Sequence, residues 1–176
     1  MRPIYVMLIG LPASGKSTLA KMIVEAFPRF HWHVASTDSY IEAEAERLGK
    51  TYNEVFNATI KEAHRSLDSG LALAFKGNYD IIHDQTNLTI KSRAKKLALV
   101  PTNYAKVGLL CEVDSSIRRK RLDNRPGKTI PNDVDAKMAA SFERADVGEF
   151  DWSRMAKDWR EVLTPIMQER TSHGVW

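Results

Sequence analysis

The chain has 176 residues, 43% hydrophobic and 27% charged, with a formal net charge of +4. That is room for one domain with a well-buried core and little more, so a single unit over 1–176 is expected. No apolar run approaches the roughly 18 residues of a membrane span, so a membrane protein is excluded, and the mild basicity suits an anionic ligand without choosing between nucleotide and nucleic acid.

In chain order, the apolar run Ile4–Ile9 predicts a first strand, and a helix should follow over about Lys16–Ala26. One arginine ahead of that run gives the outline of a secretion signal. Cleavage there would destroy the glycine-rich loop that follows, so that reading fails. A second strand is predicted near Trp32–Ser36. Ser39 with Glu42, and Thr51 with Glu54, match capping boxes, the second opening a long helix toward Asp68 or beyond. Tyr79–His83 reads as a third strand, with Thr89 capping a helix over Ile90–Leu99. Lys106–Val113 is the fourth strand, after which Asp114 caps a helix to about Asn124. Arg125–Pro131 is a loop by composition, and Asp133–Ala145 has a helical pattern. Thr164 and Pro165 read as a cap and first-turn proline of a short final helix. A fifth strand around 160–163 stays open. The alternation predicts an α/β fold: a parallel sheet of four to five strands with helices on both faces.

The single cysteine, Cys111, lies in the fourth apolar run and reads as a buried structural thiol, in keeping with a reducing cytoplasm. The four tryptophans, three of them near the C-terminus, suggest packing there, with homo-oligomer formation left possible.

The residues Gly10, Leu11, Pro12, Ala13, Ser14, Gly15, Lys16, Ser17 and Thr18 carry the spacing Gly-x4-Gly-Lys-Ser between a strand and a helix. Glycines at both ends allow backbone angles and close approach that a side chain would block. Successive N–H groups then form an anion nest at the positive end of the helix. In such a loop the lysine reaches the β- and γ-phosphates of ATP and the Ser17 hydroxyl ligates Mg²⁺.

Three further features select phosphoryl transfer. Asp38 lies just after the second strand, where strand ends face the ligand crevice, and a carboxylate there can take the proton of an attacking hydroxyl. Asp84, Thr86 and Asn87 end the third strand, with Asp84 placed as a Walker-B-like acid and the other two offering hydrogen bonds to substrate. Arg118, Arg121 and Arg125 share one face after the fourth strand, and an arginine clamping the transferring group contributes about 10³–10⁵ in rate.

Together, Gly10–Thr18, Ser36–Tyr40, Asp84–Leu88, Arg121–Pro131 and Asp133–Glu143 resemble the 5′-kinase domain of phage-type polynucleotide kinase, and more broadly the zeta-toxin-like small kinases. The resemblance covers roughly 3–150. It implies an α/β P-loop kinase fold with a small arginine-bearing lid at about 121–133, and ATP-dependent transfer of the γ-phosphate to the 5′-hydroxyl of DNA or RNA, with Asp38 as general base, Lys16 and Arg125 as transition-state stabilisers, and Arg121 as a nucleotide-side lid contact. Ile41 stands where that pattern has a phosphate-binding arginine; a basic residue of the Lys91–Lys96 helix is the candidate to replace it. Lys91, Arg93, Lys95 and Lys96 form a basic set that could follow a nucleic-acid backbone, and Tyr40 or Tyr52 could stack on a base. The alternatives are a kinase for a small hydroxyl-bearing molecule or modified base, and an ATP-binding module without transfer activity.

Overall fold

The run Ile4–Ile9 forms the central strand, β1, and every residue in it is buried. Its side chains alternate between two cores. Ile4, Val6 and Leu8 pack with Leu19, Ala20 and Ile23 of α1 (Lys16–Ala26), whereas Tyr5, Met7 and Ile9 face the other side. A strand buried on both faces is the pattern of a parallel α/β sheet, which is why this run shows no polar alternation. The computed structural model describes residues 2–146 and 148–172.

β2 (Trp32–Ala35), β3 (Asp80–Asp84), β4 (Ala105–Leu110) and β5 (Trp152–Met155) complete a five-stranded sheet of order β2-β3-β1-β4-β5. Every pairing is parallel. The other helices are α2 (Thr37–Leu48), α3 (Tyr52–Lys76), α4 (Ile90–Leu97), α5 (Ser115–Asp123), α6 (Asn132–Ala140) and α7 (Trp159–Ser172). α1 and α7 cover one face of the sheet; α3 and α4 cover the other. The chain leaves β1 for β2 on one side and returns from β3 past β1 to β4 on the other. The carboxyl ends of β1 and β3 therefore flank the switch point where α/β sheets hold ligands. Gly10 and Asp84 stand there, with Leu8 in register with Asp84.

Caps explain most helix starts. Thr51 and Glu54 form the expected capping box, Thr89 accepts from Ser92 N–H, and Asp114 accepts from Ser116 N–H. The first expected box is not one. Ser36 takes the N-cap and accepts from Ser39 N–H at 3.3 Å, which puts Asp38 in the first turn of α2.

The C-terminal third departs furthest from expectation. The residues 160–163 are helical, and the fifth strand lies earlier, pairing Val107 with Trp152. Thr164 and Pro165 do not begin a helix; Pro165 lies inside α7. Buried Trp159, Val162, Leu163 and Met167 hold one continuous helix through it. Burial of large apolar side chains, at about 1.5–3 kcal/mol each, outweighs the roughly 3 kcal/mol cost of an interior proline. α6 stops at Ala140 because the chain turns back to the loop after β3, where Glu143 N–H donates to the Leu88 carbonyl at 2.9 Å. Trp176 lies outside the described residues.

Candidate active site

Gly10 leaves β1 with its N–H on the Thr86 carbonyl at 2.9 Å. A Cβ at Gly10 would meet the Cys111 carbonyl oxygen at 2.3 Å, so only glycine fits. Cys111 is buried beneath this loop, and burial pushes its thiol up to about 12, so it is the structural residue expected. Ala13 and Gly15 both take positive φ, and Gly15 serves as the N-cap of α1. That alternation makes the anion nest. The Lys16 ammonium folds onto the loop, donating to the carbonyls of Gly10 at 3.0 Å and Leu11 at 2.8 Å. Burial lowers the Lys16 pKa, opposed chiefly by Asp84.

Asp84, at the end of β3, lies near the Ser17 hydroxyl and the Lys16 ammonium, both of which act on its charge. Burial raises its pKa, against the pull of Ser17 and Lys16. Two hard oxygen donors thus lie side by side at the start of α1, a donor set that fits Mg²⁺.

Asp38 reaches the same cleft from α2. One carboxylate oxygen accepts from the Tyr52 hydroxyl at 2.7 Å, and the other from the Lys128 ammonium at 2.7 Å. Burial would raise its pKa, but Lys128, Tyr52 and Arg125 outweigh it and hold the carboxyl below its usual range. The Asp38 side chain is about half exposed and a carboxylate has roughly four acceptor positions, so both partners leave room for a further hydroxyl. Ile41, three residues on, is fully buried among Ala45, Val55 and Ala63, gluing α2 to α3. Its apolar identity follows from that contact.

The arginines of α5 and of the loop after it, the segment expected to form a lid, have different partners. Arg121 donates to the Ala13 carbonyl at 3.3 Å, laying α5 over the phosphate loop. Arg125 lines the cleft, and its charge acts on Lys16 and Asp38. Arg118 is turned away: it pairs with both Asp135 oxygens at 2.6 and 2.7 Å and ties α5 to α6. The loop after α5 docks on the start of α3. Asn53 binds Thr129 Oγ1 at 2.6 Å, and the Gly127 carbonyl accepts from Asn53 N–H at 3.0 Å.

The basic set on α4 is not one surface. Arg93 is fully buried, bidentate to Glu149 at 2.7 and 2.8 Å, and donates to the carbonyls of Asn87, Leu88, Glu143 and Arg144. Its helical position turns it inward, so it is an architectural residue. Asn87 is likewise spent inside: its amide donates to the Leu8 carbonyl at 2.7 Å and it does not line the cleft. Thr86 does line it, whereas Tyr40 packs with the α2–α3 core. Lys91 and Lys95 are exposed, and Lys96 alone of the four faces the cleft. Lys128 and Gln85 escaped the sequence reading. Lys128 lies ninety residues from Asp38, and nothing in a single sequence links such positions. Tyr52, read as a stacking group, instead holds Asp38.

These groups line one cleft of about 1640 Å³, bounded by Ile117, Met138 and Arg160 on the lid side and by Phe56, Ile60 and His64 of α3 on the other. Among the described residues, no helix is long and apolar enough to cross a membrane.

A family model described as an AAA domain (AAA_33) matches residues 6–145. Among solved structures, the chain is similar to a protein from Chloroflexus aurantiacus described as a candidate kinase, at 15% identity over 98% of this chain and 99% of that one, with a TM-score of 0.63. It is similar to a chain of the Pnkp1/Rnl/Hen1 RNA repair complex at 20% identity, covering 79% of this chain and 43% of that one, with a TM-score of 0.60. A gluconokinase from Sinorhizobium meliloti matches at 15% identity over 99% of both chains, with a TM-score of 0.55. At these identities the likeness is one of fold, that of the small P-loop kinases.

Proposed function

Since the chain belongs to this AAA-domain family (AAA_33), we propose that it is an ATP-dependent phosphotransferase acting on a hydroxyl, with the 5′-hydroxyl of a polynucleotide as acceptor. The observation that carries the kinase reading is Asp38: a half-exposed carboxylate, kept ionised by Lys128, in the same cleft as Lys16 and the phosphate loop.

In this reading the nest from Gly10 to Thr18 binds the triphosphate, with Arg121 closing over it. Ser17 and Asp84 would hold Mg²⁺, which when bound offsets phosphate charge. Asp38 orients the acceptor hydroxyl and takes its proton as the oxygen attacks. Lys16 and Arg125 stabilise the negative charge spread over the transferring group. Water is limited by the lid loop docked on α3.

One observation supports a polynucleotide end. The cleft, at about 1640 Å³, has room for ATP and a second substrate beyond the roughly 300–1,000 Å³ of a single small-ligand pocket. Beside Asp38 it is walled by Phe56, which offers an apolar face to a base or sugar, next to the Tyr52 ring that Lys128 covers at 4.2 Å. A second reading, a small hydroxyl-bearing metabolite, draws on Ile41, which removes a phosphate-binding arginine from α2. The test is transfer from γ-labelled ATP to 5′-hydroxyl DNA and RNA oligonucleotides beside a panel of sugars, nucleosides and sugar acids. Label on the oligonucleotides is the expected outcome. Label confined to a metabolite would move the assignment to the second reading.

A further inference from the structure

Lys96 extends from α4 into the cleft and donates to Gln85 Oε1 and Asn87 Oδ1, both at 2.6 Å. Both acceptors are neutral amide oxygens. An ammonium has three donors, and two are taken. Burial is the sole influence found on its charge, lowering its pKa to about 8 with no carboxylate offsetting it. The nearby His83 supplies no negative charge: it shares Gln85 Oε1 and burial keeps it neutral, at about 4.

The cradle is itself rigid. Asn87 is pinned to the Leu8 carbonyl, and the Gln85 amide donates to Thr37 Oγ1 at 3.4 Å. Thr37 directly precedes Asp38, so through Gln85 the cradle is joined to the Asp38 side of the cleft. A part-buried ammonium without a counter-charge is costly, and the two amides need no cation to satisfy them. Arg93, one turn earlier on α4, shows what a structural cation looks like here: it is bidentate to Glu149. Among the described residues Lys96 has no such partner, which leaves its counter-charge to come from a ligand.

We propose that Lys96 is an acceptor-anion ligand, and that the acceptor carries a phosphate or phosphodiester beside its reacting hydroxyl. This rests on the kinase reading only in identifying the Asp38 end of the cleft as the acceptor end. Strand ends and phosphorylated metabolites share that chemistry, so the test uses a matched pair for each. One pair is a 5′-hydroxyl dinucleotide with its natural phosphodiester against the neutral methylphosphonate; the other is a hexose 6-phosphate against the free hexose. Equilibrium binding to the whole protein is measured for wild type, Lys96→Met and Lys96→Arg, with ATP binding reporting the fold of each variant.

A charge-assisted hydrogen bond predicts that wild type prefers the anionic member of one pair by about 10- to 100-fold. Lys96→Met should reduce that preference to near one, and Lys96→Arg should restore much of it. The pair that responds identifies the source. Preference in neither pair, or preference that survives in a folded Lys96→Met protein, overturns the proposal. Because binding is read without catalysis, absence of transfer to any acceptor would count against the kinase reading while leaving this result standing.

Discussion

Asp38 sits between two donors that act on it differently. Tyr52 fixes one oxygen, and Lys128 supplies the positive charge that keeps the carboxyl ionised below its usual range. A base must be ionised to accept a proton, so activity should persist to low pH and fall only as pH drops through this depressed pKa. Lys128→Met removes the main lowering influence and leaves burial, which acts upward. The acid limb of the kcat/KM profile should therefore move to higher pH, while activity well above that limb falls far less. An unmoved limb would mean that the group titrating there is not Asp38. The residue scale also shows where sequence reading stops. Asp38 was legible from its place after a strand, but Lys128 and Gln85 act through folded proximity, and no local pattern marks them.

At the scale of elements, α4 was legible as a helix with a capped start but not as a buried one. A run of basic residues suggests a solvated face, whereas the helix turns Arg93 fully inward to hold Glu143, Arg144 and Glu149 against the loop after β3. Arg93→Met would strand Glu149 and several carbonyls, a loss of about 3–5 kcal/mol in chemical denaturation. If that variant is as stable as wild type, the buried network is not the clamp described. The lid is fastened differently, by the exposed pair Asn53 and Thr129. Asn53→Ala removes three exposed hydrogen bonds to Thr129 and should release the loop over 125–131, speeding proteolysis there by about 5- to 30-fold at roughly 0.5 kcal/mol for each rim bond. Global stability should change little, because the bonds lie at the rim. α7 was misread for the opposite reason: Thr164 and Pro165 are a strong local start signal, overridden by the apolar face that begins at Trp159.

Across the whole molecule, strand and helix order was readable because β1 is apolar throughout and each helix but a few carries its own cap. The edge strand β5 was not, since its exposed, half-buried alternation gives no apolar run to recognise. The donor half of the cleft follows from one contiguous motif, so it was legible whole. The proposed acceptor half is assembled from α2, α3, α4 and the loop after α5, and only the fold brings Asp38, Tyr52, Lys96 and Lys128 into one cleft with the phosphate loop. If this assembly transfers phosphate through Asp38, the decisive variant is Asp38→Asn, with ATP binding and phosphoryl transfer measured on the same preparation. The expected result is ATP affinity close to wild type with transfer reduced by about 10²–10⁴-fold. Wild-type transfer rates in the asparagine variant would contradict the account.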